Sequence, residues 1–455
     1  MNFNIKTDSR KIKKGDIFVA LKTAEGDGHD YVQSAIEKGA SKVVVSHGSY
    51  DVETIVVPDT RKYLTDYLIE NYKPTIDKMH IIAFTGTNGK TTSTLLMYQA
   101  LNKLGINCAS VGTVGYFTNR GKEFYLANTS PDICDMYELL IDSYNNNHMY
   151  VTIEASSHGL ALGRLEGIEY DFGIFSNLTR DHLDFHQTFE NYALAKQELF
   201  KRIKKDGFAI VNTDDEYKDY FLLDNNNVTF GFNESDYQIE DFKMNSEGSY
   251  FKVNGIEYHT NLIGKYNALN MIPVIIMLQK MNIDNDKIKQ IVSELQAPTG
   301  RLEQVKYKTN NIYIDYAHTP DGLEKAVSTV KSITKGKVYV VFCCRGKRDV
   351  GRRYGMMKAA TDLADLAIVT SDNYYGESFD NILNDMTKDL DNTNYEVIID
   401  RKEAIYKGID LLKENDSLLI LGHGHEETLT LENKQKIPFI EKDIVNDYIS
   451  SKNCV

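Results

Sequence analysis

The sequence has no tryptophan, only seven prolines and only five cysteines among its 455 residues. So few prolines, with 42% apolar and 26% charged residues, exclude a collagen-like or disordered chain and predict a folded protein. The cysteines have no C-x-x-C spacing, and Cys343 and Cys344 are adjacent, which indicates neither a disulfide framework nor a zinc knuckle. We therefore expect reduced thiols.

Long apolar runs and an excess of positive charge are also missing. The longest apolar run, near residues 271–278, is far shorter than the roughly 20 residues that span a bilayer. The segment MNFNIKTDSRKIKK contains no apolar core of the kind found in a signal peptide, so we expect a cytoplasmic protein without membrane insertion. Lys and Arg number 52 against 65 Asp and Glu, and this net charge of −13 disfavours nucleic acid as a partner.

The length and the strand and helix patterns predict an α/β protein of three domains, since a typical domain has roughly 150 residues. Short strand-like runs and one helix predict a small α/β domain over residues 1–78. An apolar run that ends in glycines opens a central domain over 79–299, with a parallel sheet and helical crossovers. Strands and helices alternate again in 300–455, which predicts a third, Rossmann-like domain.

The strongest local pattern is a glycine-rich loop between a predicted strand and a predicted helix, formed by Gly86, Thr87, Asn88, Gly89, Lys90, Thr91 and Thr92. Glycines allow backbone N–H groups to surround phosphate oxygens, and a helix N-terminus adds positive potential. Lys90 can neutralise the β- and γ-phosphates, and the Thr91 hydroxyl can bind Mg²⁺. Only two residues separate the two glycines, so the loop is a shortened ATP-binding pattern; a turn that merely joins strand and helix is the alternative.

Two later segments place polar side chains after predicted strands. Glu154 ends a buried strand, where a lone carboxylate is costly unless it meets a cation. The segment FSNLTRDHLDFH offers Asn177, Asp181, His182 and His186. The i, i+4 spacing of the two histidines fits zinc, but Mg²⁺ bound with ATP prefers oxygen ligands, and we favour Mg²⁺. A hydrogen-bonded structural role stays open for each histidine.

Further motifs occur in order along nearly the whole chain. They are TDSRKIKKGDIFVAL with GDGHDY, TGTNGKTTS, NTSPD, EASSHGL, NLTRDHLDFH, LAKQELF, YNALN, PTGRLE, DYAHTPDGLE, RDVGRR, SDN and GHGHE. In their joint order the sequence resembles the Mur ligases of peptidoglycan synthesis, and among them the UDP-N-acetylmuramoyl-tripeptide synthetases, or MurE family. The resemblance implies a UDP-binding N-terminal domain, a central ATPase and a C-terminal amino-acid-binding domain.

The resemblance also implies roles for single residues. Ser9 would contact UDP, and the muramoyl-peptide would be bound by Asn128, Thr129, Ser130, Ser156 and Arg164. In addition to the loop at 86–92, ATP would be contacted by Asn267, Arg301 and Asp315. The incoming amino acid would be bound by Arg353, Asp372, Asn373, Gly422 and Glu426.

The catalytic and metal-binding groups are implied in the same way. The catalytic set would be Lys90, Glu154, His182 and Lys196, and the metal ligands would be Thr91, Glu154, His182 and Lys196 as its carbamate. CO₂ converts the ammonium of such a lysine into an anion that can bind a second Mg²⁺, which an unmodified lysine cannot do. The spacing alone predicts that Lys196 is an ordinary lysine on the surface of a helix.

The implied activity is an ATP-dependent amide ligase that adds the third amino acid to UDP-N-acetylmuramoyl-L-Ala-D-Glu in peptidoglycan synthesis. ATP would convert a carboxylate into an acyl phosphate, because a carboxylate itself is a poor acyl acceptor for an amine. The implied cofactors are ATP, two Mg²⁺ ions and CO₂. The implied partners are the UDP-N-acetylmuramoyl-dipeptide, ATP and an amino acid, and we expect a monomer.

The sequence departs from the resemblance where the amino acid is chosen. Members that add meso-diaminopimelate carry Asp-Asn-Pro-Arg, whose arginine can bind the distal carboxylate in a bidentate manner. Here the segment is Asp372-Asn373-Tyr374-Tyr375. We therefore expect L-lysine, or another amino acid without a distal carboxylate, and acidic groups for its side-chain ammonium at Asp372, Glu377 or Asp380.

Three alternatives stay open. The first is a meso-diaminopimelate-adding enzyme in which Arg345, Lys347 or Arg353 replaces the missing arginine. The second is a paralogous ligase of the Mur or folylpolyglutamate type, and the third is a non-catalytic module that binds a nucleotide. The DSR-containing first domain and the NTSP segment argue against the folate enzyme, and the intact Lys90 and Glu154 argue against the inactive module.

Overall fold

A computed structural model describes residues 1–23, 26–347 and 350–453 of the chain, so Arg348 and Asp349 of the RDVGRR motif lie outside the described residues. The chain forms two compact units, Met1–Glu240 with Leu269–Ile291 and Asp241–Ala268 with Val292–Val455. The domain boundaries predicted at 78/79 and 299/300 stay a prediction. None of the helices in the described part of the chain combines the length and apolar character needed to cross a membrane.

The first unit begins with a small parallel sheet. Its strands and helices are β1 (Ile5–Lys6), β2 (Ile17–Val19), α1 (Val32–Glu37), β3 (Lys42–Val45), β4 (Glu53–Val56) and α2 (Thr60–Ile76). The four strands pair in the order β1-β2-β3-β4. The Asp59 side chain caps α2 by accepting a hydrogen bond from Lys62 N, and every fourth residue from Leu64 is buried, so one face of α2 enters the core of this unit.

The same unit contains a larger sheet. Its strands are β5 (His80–Thr85), β6 (Cys108–Gly112), β7 (Gly115–Thr118), β8 (Gly121–Phe124), β9 (Tyr150–Glu154), β10 (Tyr170–Phe175), β11 (Ile203–Asn212) and β12 (Asn227–Gly231). Its helices are α3 (Lys90–Lys103), α4 (Ile133–Asn145), α5 (Ser157–Ala161), α6 (Leu183–His186) and α7 (Phe189–Gln197). The strands pair in the order β12-β11-β10-β5-β9-β6-β7-β8; β7 pairs antiparallel with both β6 and β8, and the other pairs in this order are parallel. The ends of β10, β5, β9 and β6 therefore meet at one edge.

One helix prediction in this sheet is wrong. The sequence pattern predicts a single helix from Phe189 to Ile203, but α7 ends at Gln197 and a short 3₁₀ helix follows at Phe200–Arg202. Ile203 instead begins β11, where it pairs with Tyr170 of β10. Pairing with a neighbouring strand thus overrides the local helical pattern at this point.

The second unit is built on another mostly parallel sheet. Three elements run across the boundary between the units or next to it: β13 (Tyr237–Asn245), α8 (Lys265–Lys280) and α9 (Asn285–Glu294). The hairpin strands β14 (Gly248–Val253) and β15 (Ile256–Thr260) belong to the second unit. The main sheet and its helices comprise β16 (Glu303–Tyr307), β17 (Asn310–Asp315), α10 (Pro320–Ile333), β18 (Val338–Phe342), α11 (Arg353–Leu363), β19 (Leu366–Val369), α12 (Phe379–Thr387), β20 (Tyr395–Val397), α13 (Arg401–Leu411) and β21 (Ser417–Leu421).

Within this sheet the strands pair in the order β16-β17-β21-β18-β19-β20, and only β16 is antiparallel. A hairpin of β22 (Thr428–Thr430) and β23 (Lys436–Pro438) and the helix α14 (Glu441–Asn453) complete the described part of this unit. The predicted alternation of strands and helices after residue 300 is confirmed, and so is the α/β class with parallel sheets. The loops that follow β17, β18, β19 and β21 lie at the edge where α/β sheets bind ligands.

Candidate active site

The glycine-rich loop lies between β5 and α3, as predicted. Gly86 and Gly89 have φ angles of 141° and 87°, which side-chain-bearing residues rarely adopt. A Cβ atom at Gly86 would lie 2.0 Å from Ser176 Oγ, and one at Gly89 would lie 2.3 Å from Asn270 Oδ1. Asn177, which follows β10, accepts a hydrogen bond from Asn88 N through its side chain at 3.0 Å. Both glycines are therefore required by the backbone and by its close neighbours.

Two lysines contact this loop. Lys90 Nζ donates to Gly86 O and Thr87 O at 2.9 Å each, and Lys196 Nζ donates to Gly86 O at 2.7 Å. Lys196 is only 1% exposed and lies 4.6 Å from the centre of the Tyr192 ring. Burial lowers the pKa of Lys196 well below its ordinary value, and the charge of Lys90 lowers it further. Lys196 is thus a buried group beside the glycine-rich loop and not a surface lysine.

Glu154 lies at the end of β9 and is hydrogen-bonded to two threonines. Its Oε2 accepts from Thr91 Oγ1 at 2.9 Å and from Thr113 Oγ1 at 3.0 Å, and its Oε1 accepts from Thr113 N at 2.9 Å. A Cβ at Gly112 would lie 2.2 Å from Glu154 Oε1, so the glycine leaves room for the carboxylate. The hydroxyl of Thr91 and this carboxylate are hard oxygen donors, and they fit Mg²⁺, which binds through one or two carboxylates and substrate phosphates.

The residues expected to bind the muramoyl-peptide form a connected group beside Glu154. Ser130 Oγ donates to Glu154 O at 2.8 Å and lies 3.0 Å from Ser156 Oγ. Arg164 Nη1 donates to Ser130 O at 3.0 Å, and Thr129 Oγ1 lies 3.0 Å from the hydroxyl of Thr113. Because Glu154 also accepts a hydrogen bond from Thr91, these contacts connect the predicted muramoyl-peptide segment with the glycine-rich loop.

Two other predicted contacts lie apart from this group. Asn128 is exposed at the start of the segment. Ser9 is buried in a one-turn 3₁₀ helix that Asp8 caps by accepting from Arg10 N. Close to Ser9, Lys11 forms an ion pair with Asp135 of α4 at 2.6 Å. The UDP role of Ser9 stays a prediction.

His182 belongs to a cluster of aromatic and imidazole rings. Its ring centroid lies 4.8 Å from that of His158 and 6.3 Å from that of Tyr192, and its backbone has a φ of 53°. Burial lowers the pKa of His182, and the charges of Lys90 and Lys196 act in the same direction. His186 lies 5.5 Å from His158, and burial lowers its pKa to about 4. Among the described residues, no three or more His, Cys, Asp or Glu side chains are placed to hold a metal ion together.

The residues expected to contact the nucleotide from outside the loop belong to the second unit. Asp315 accepts from Leu302 N at 2.6 Å and from Ala317 N at 2.7 Å. Burial raises the pKa of Asp315, and the nearby charge of Arg301 opposes this shift. Asn267 is buried and donates to Ile263 O at 2.9 Å. Asp315 thus also holds the turn after Arg301, a structural role in addition to the predicted one.

Four of the residues expected to bind the amino acid gather around Arg345. The Arg345 guanidinium contacts Asp372 Oδ2 at 3.3 Å, Glu426 Oε1 at 2.7 Å and Gly422 O at 2.9 Å. Asn373 Nδ2 donates to Glu426 Oε2 at 2.7 Å. Burial opposes ionisation of Asp372, but the charges of Arg345 and Arg401 and the hydrogen bond with His423 together outweigh it and lower the pKa of this carboxyl. Arg345 thus connects these residues, whereas the sequence analysis named it only as one of three cations that could replace the missing arginine.

Arg353, the fifth expected residue, is 1% exposed and lies in two ion pairs. Its guanidinium contacts both carboxylate oxygens of Glu377, at 2.7 and 2.8 Å, and Asp385 Oδ2 at 2.7 Å. The hydrogen bond from Arg353 lowers the pKa of Glu377 to about 2. Two of the three carboxylates expected to receive a lysine ammonium, Asp372 and Glu377, are therefore already paired with arginines, while Asp380 is exposed.

Sequence reasoning missed a buried ion pair behind these loops. Arg401 and Glu441, both with fully buried side chains, are 2.7 Å apart. Arg401 also donates to Ser371 O at 3.0 Å and Leu421 O at 2.8 Å, and Glu441 accepts from Gly424 N at 3.0 Å. The pair thus fixes the starts of the loops that carry Asp372 and Glu426. Isolated Arg and Glu residues 40 positions apart carry no pattern that could have revealed it.

We expect Arg401→Met to lower the free energy of unfolding by about 3 kcal/mol, because Glu441 would keep a buried charge without its partner. Urea unfolding of the full chain measures this change. The control is Lys402→Met at the neighbouring exposed position, for which we expect a change within about 0.5 kcal/mol. Equal urea midpoints for the two variants would contradict the structural role of the pair.

Comparison with known proteins places this geometry in context. Three families match the chain in succession: "Mur ligase family, catalytic domain" over residues 4–76, "Mur ligase middle domain" over 84–278 and "Mur ligase, glutamate ligase domain" over 300–424. The UDP-N-acetylmuramoyl-L-alanyl-D-glutamate–2,6-diaminopimelate ligase of Clostridium perfringens is 40% identical over 99% of this chain and 95% of that protein. Ligase 1 of the same name from Clostridium acetobutylicum is 36% identical over 98% and 94%. A solved structure of such a ligase is 29% identical and covers 99% of this chain and 95% of that one, with a TM-score of 0.69.

Proposed function

This chain belongs to the Mur ligase family, and we propose that it adds the third amino acid to UDP-N-acetylmuramoyl-L-Ala-D-Glu at the expense of ATP. The observation that carries the proposal is the position of Glu154. Its carboxylate binds Thr91 of the phosphate loop and Thr113, whose hydroxyl contacts Thr129 of the predicted muramoyl-peptide segment. The phosphate loop and the segment expected to hold the accepting carboxylate therefore adjoin the same side chain.

The proposed reaction has two steps. A carboxylate oxygen of the dipeptide attacks the γ-phosphorus of ATP, the bond to the bridging oxygen breaks, and ADP leaves. The amine of the third amino acid then attacks the acyl carbon, phosphate leaves with its bonding electrons, and the amine loses a proton. Lys90 is the first residue of α3, and its Nζ donates to Gly86 O of the glycine-rich loop. There its charge would stabilise the negative charge of phosphates bound by the loop amides in the first step.

We propose Mg²⁺ and CO₂ as further requirements. Mg²⁺ would neutralise phosphate charge, and the residues that would hold it are Thr91, Glu154, His182 and carbamylated Lys196. The lowered pKa of Lys196 favours its neutral amine, the form that can attack CO₂: the N–C bond forms, one C=O electron pair moves to oxygen, and a proton leaves. The burial of Lys196 next to Gly86 supports this assignment.

We propose 2,6-diaminopimelate as the third amino acid. The sequence alone favours L-lysine, with diaminopimelate as an alternative. The named substrate of the Clostridium perfringens relative supports it. The ion pairs of Asp372 and Glu377 also weaken the case for lysine, because these carboxylates already have arginine partners. The assignment of UDP binding to residues 1–78, ATP binding to 79–299 and amino-acid binding to 300–455 is part of the same proposal, as are the monomeric state and the cytoplasmic location.

The test is a panel of amino acids supplied with ATP, Mg²⁺, bicarbonate and UDP-N-acetylmuramoyl-L-Ala-D-Glu, with ADP and the UDP-linked tripeptide as readouts. We expect ADP release only when both acceptor and amino acid are present, and a kcat/KM for 2,6-diaminopimelate at least about tenfold above that for L-lysine. Absence of ADP release with every amino acid would contradict the ligase. A preference for L-lysine would contradict only the choice of amino acid.

A further inference from the structure

Three loops of the second unit meet around Gly376. Gly346 N, after β18, donates to Asn373 O at 3.0 Å, and a Cβ at Gly346 would lie 1.8 Å from Tyr374 O. The hairpin of β22 and β23 joins the same place, since Tyr374 N donates to Thr430 O at 3.1 Å and Thr430 N to Asn373 Oδ1 at 2.6 Å. The loop after β19 is therefore held between the loop after β18 and the hairpin.

Each of the two flanking loops brings one lysine to Gly376. A Cβ placed on this glycine would lie 3.9 Å from Lys347 Nζ and 3.2 Å from Lys434 Cε. Both lysines are exposed, and both adopt left-handed backbone conformations, with φ angles of 48° and 65°. Such conformations are uncommon for residues with a side chain, and they tend to occur at functional loops.

The neighbouring arginines form ion pairs with carboxylates, whereas these two lysines do not within the described part of the chain. Arg345 is paired with Asp372 and Glu426, and Arg353 is paired with Glu377 and Asp385. Across residues 1–23, 26–347 and 350–453, no carboxylate forms an ion pair with Lys347 or Lys434. Two lysine charges therefore stand beside Gly376, directly after Tyr375, the position at which the expected arginine is missing. The charge of Lys347 also acts on the carboxylate of Glu377 and lowers its pKa, but that carboxylate is already paired with Arg353.

We propose that Lys347 and Lys434 bind the distal carboxylate of the third amino acid and so select 2,6-diaminopimelate over L-lysine. The inference rests on the proposed ligase function and adds the residues that determine its specificity. L-Lysine and diaminopimelate differ only by that distal carboxylate, so a cationic pair attracts the one and repels the bare terminal ammonium of the other. A single lysine cannot bind a carboxylate in the bidentate manner of an arginine guanidinium. In this proposal two lysines from separate loops bind the carboxylate instead.

The experiment compares kcat/KM for 2,6-diaminopimelate and L-lysine in the full-length enzyme and in Lys347→Met, Lys434→Met and the double variant. We expect the ratio of the two values to fall about fivefold or more in each single variant and about thirtyfold or more in the double variant. Lys347→Arg and Lys434→Arg should largely keep the ratio, because they keep the charge. The matched control is Lys436→Met, an exposed lysine of the same hairpin, for which the ratio should not change.

The salt dependence gives a second readout. Raising the ionic strength should raise KM for diaminopimelate in the wild type, and this effect should be smaller in the double variant, since exposed charges are screened. Equal loss of activity with both amino acids, or an unchanged ratio in the double variant, would overturn the inference while leaving the ligase function intact. A wild type that prefers L-lysine would overturn it as well. A wild type that ligates no amino acid would overturn the proposed function itself.

Discussion

Lys90→Ala should reduce kcat/KM for ATP-dependent ligation by about a thousandfold or more, because the lost ammonium stabilises charge that develops during phosphoryl transfer. Lys90 is the first residue of α3, and its Nζ lies over the loop at 2.9 Å from both Gly86 O and Thr87 O. The measurement is ADP release under saturating dipeptide and amino acid.

The control for this variant is Lys103→Ala, which removes an exposed lysine from the last turn of the same helix. We expect near wild-type turnover for it, and the same unfolding temperature for both variants. Wild-type turnover in a folded Lys90→Ala protein would show that the loop does not bind the ATP that is consumed. The ATP-site assignment would then be wrong, and this result would not test the assignments of the other site residues.

Lys196→Ala should be nearly inactive, with a loss of about a thousandfold that a small carboxylic acid such as acetate partly restores. The physical reason is that alanine leaves a buried space beside Gly86 in which a free carboxylate can replace the carbamate. The wild-type enzyme should also lose activity when bicarbonate and CO₂ are removed, and regain it when bicarbonate is added. Turnover with and without acetate measures the rescue.

A matched control for this variant is Lys201→Ala, an exposed lysine of the following 3₁₀ helix that pairs with Glu198. We expect no loss and no effect of acetate. If Lys196→Ala turned over as fast as wild type in buffer free of bicarbonate, the carbamate assignment would be contradicted. Loss of activity without any rescue would leave Lys196 as a structural residue that holds the loop through Gly86 O.

The phosphate loop follows from the sequence because its geometry is local. Gly86 and Gly89 adopt positive φ angles, which glycine allows, and α3 begins at Lys90 as the helical pattern predicts. The strand β9 ends at Glu154, as the sequence analysis expects, and short apolar runs of this kind are typical of buried parallel strands. The one wrong helix end, at Gln197, lies where a neighbouring strand offers backbone pairing that the sequence does not display.

The partners of the site residues were decided by the tertiary structure. From the sequence we expected a metal beside Glu154, but Thr113, which also binds this carboxylate, lies 41 residues earlier and is brought there by the pairing of β6 with β9. Helical spacing by itself predicts a surface position for Lys196. In the structure its side chain is buried and donates a hydrogen bond to Gly86 O, 110 residues away in the sequence. Backbone angles and apolar periodicity are set by neighbouring residues, whereas the order of strands in a sheet sets which loops adjoin. Composition, the glycine loop and the ends of strands were therefore readable in the sequence, and charge pairing, burial and the meeting of loops around Arg345 and Gly376 were not.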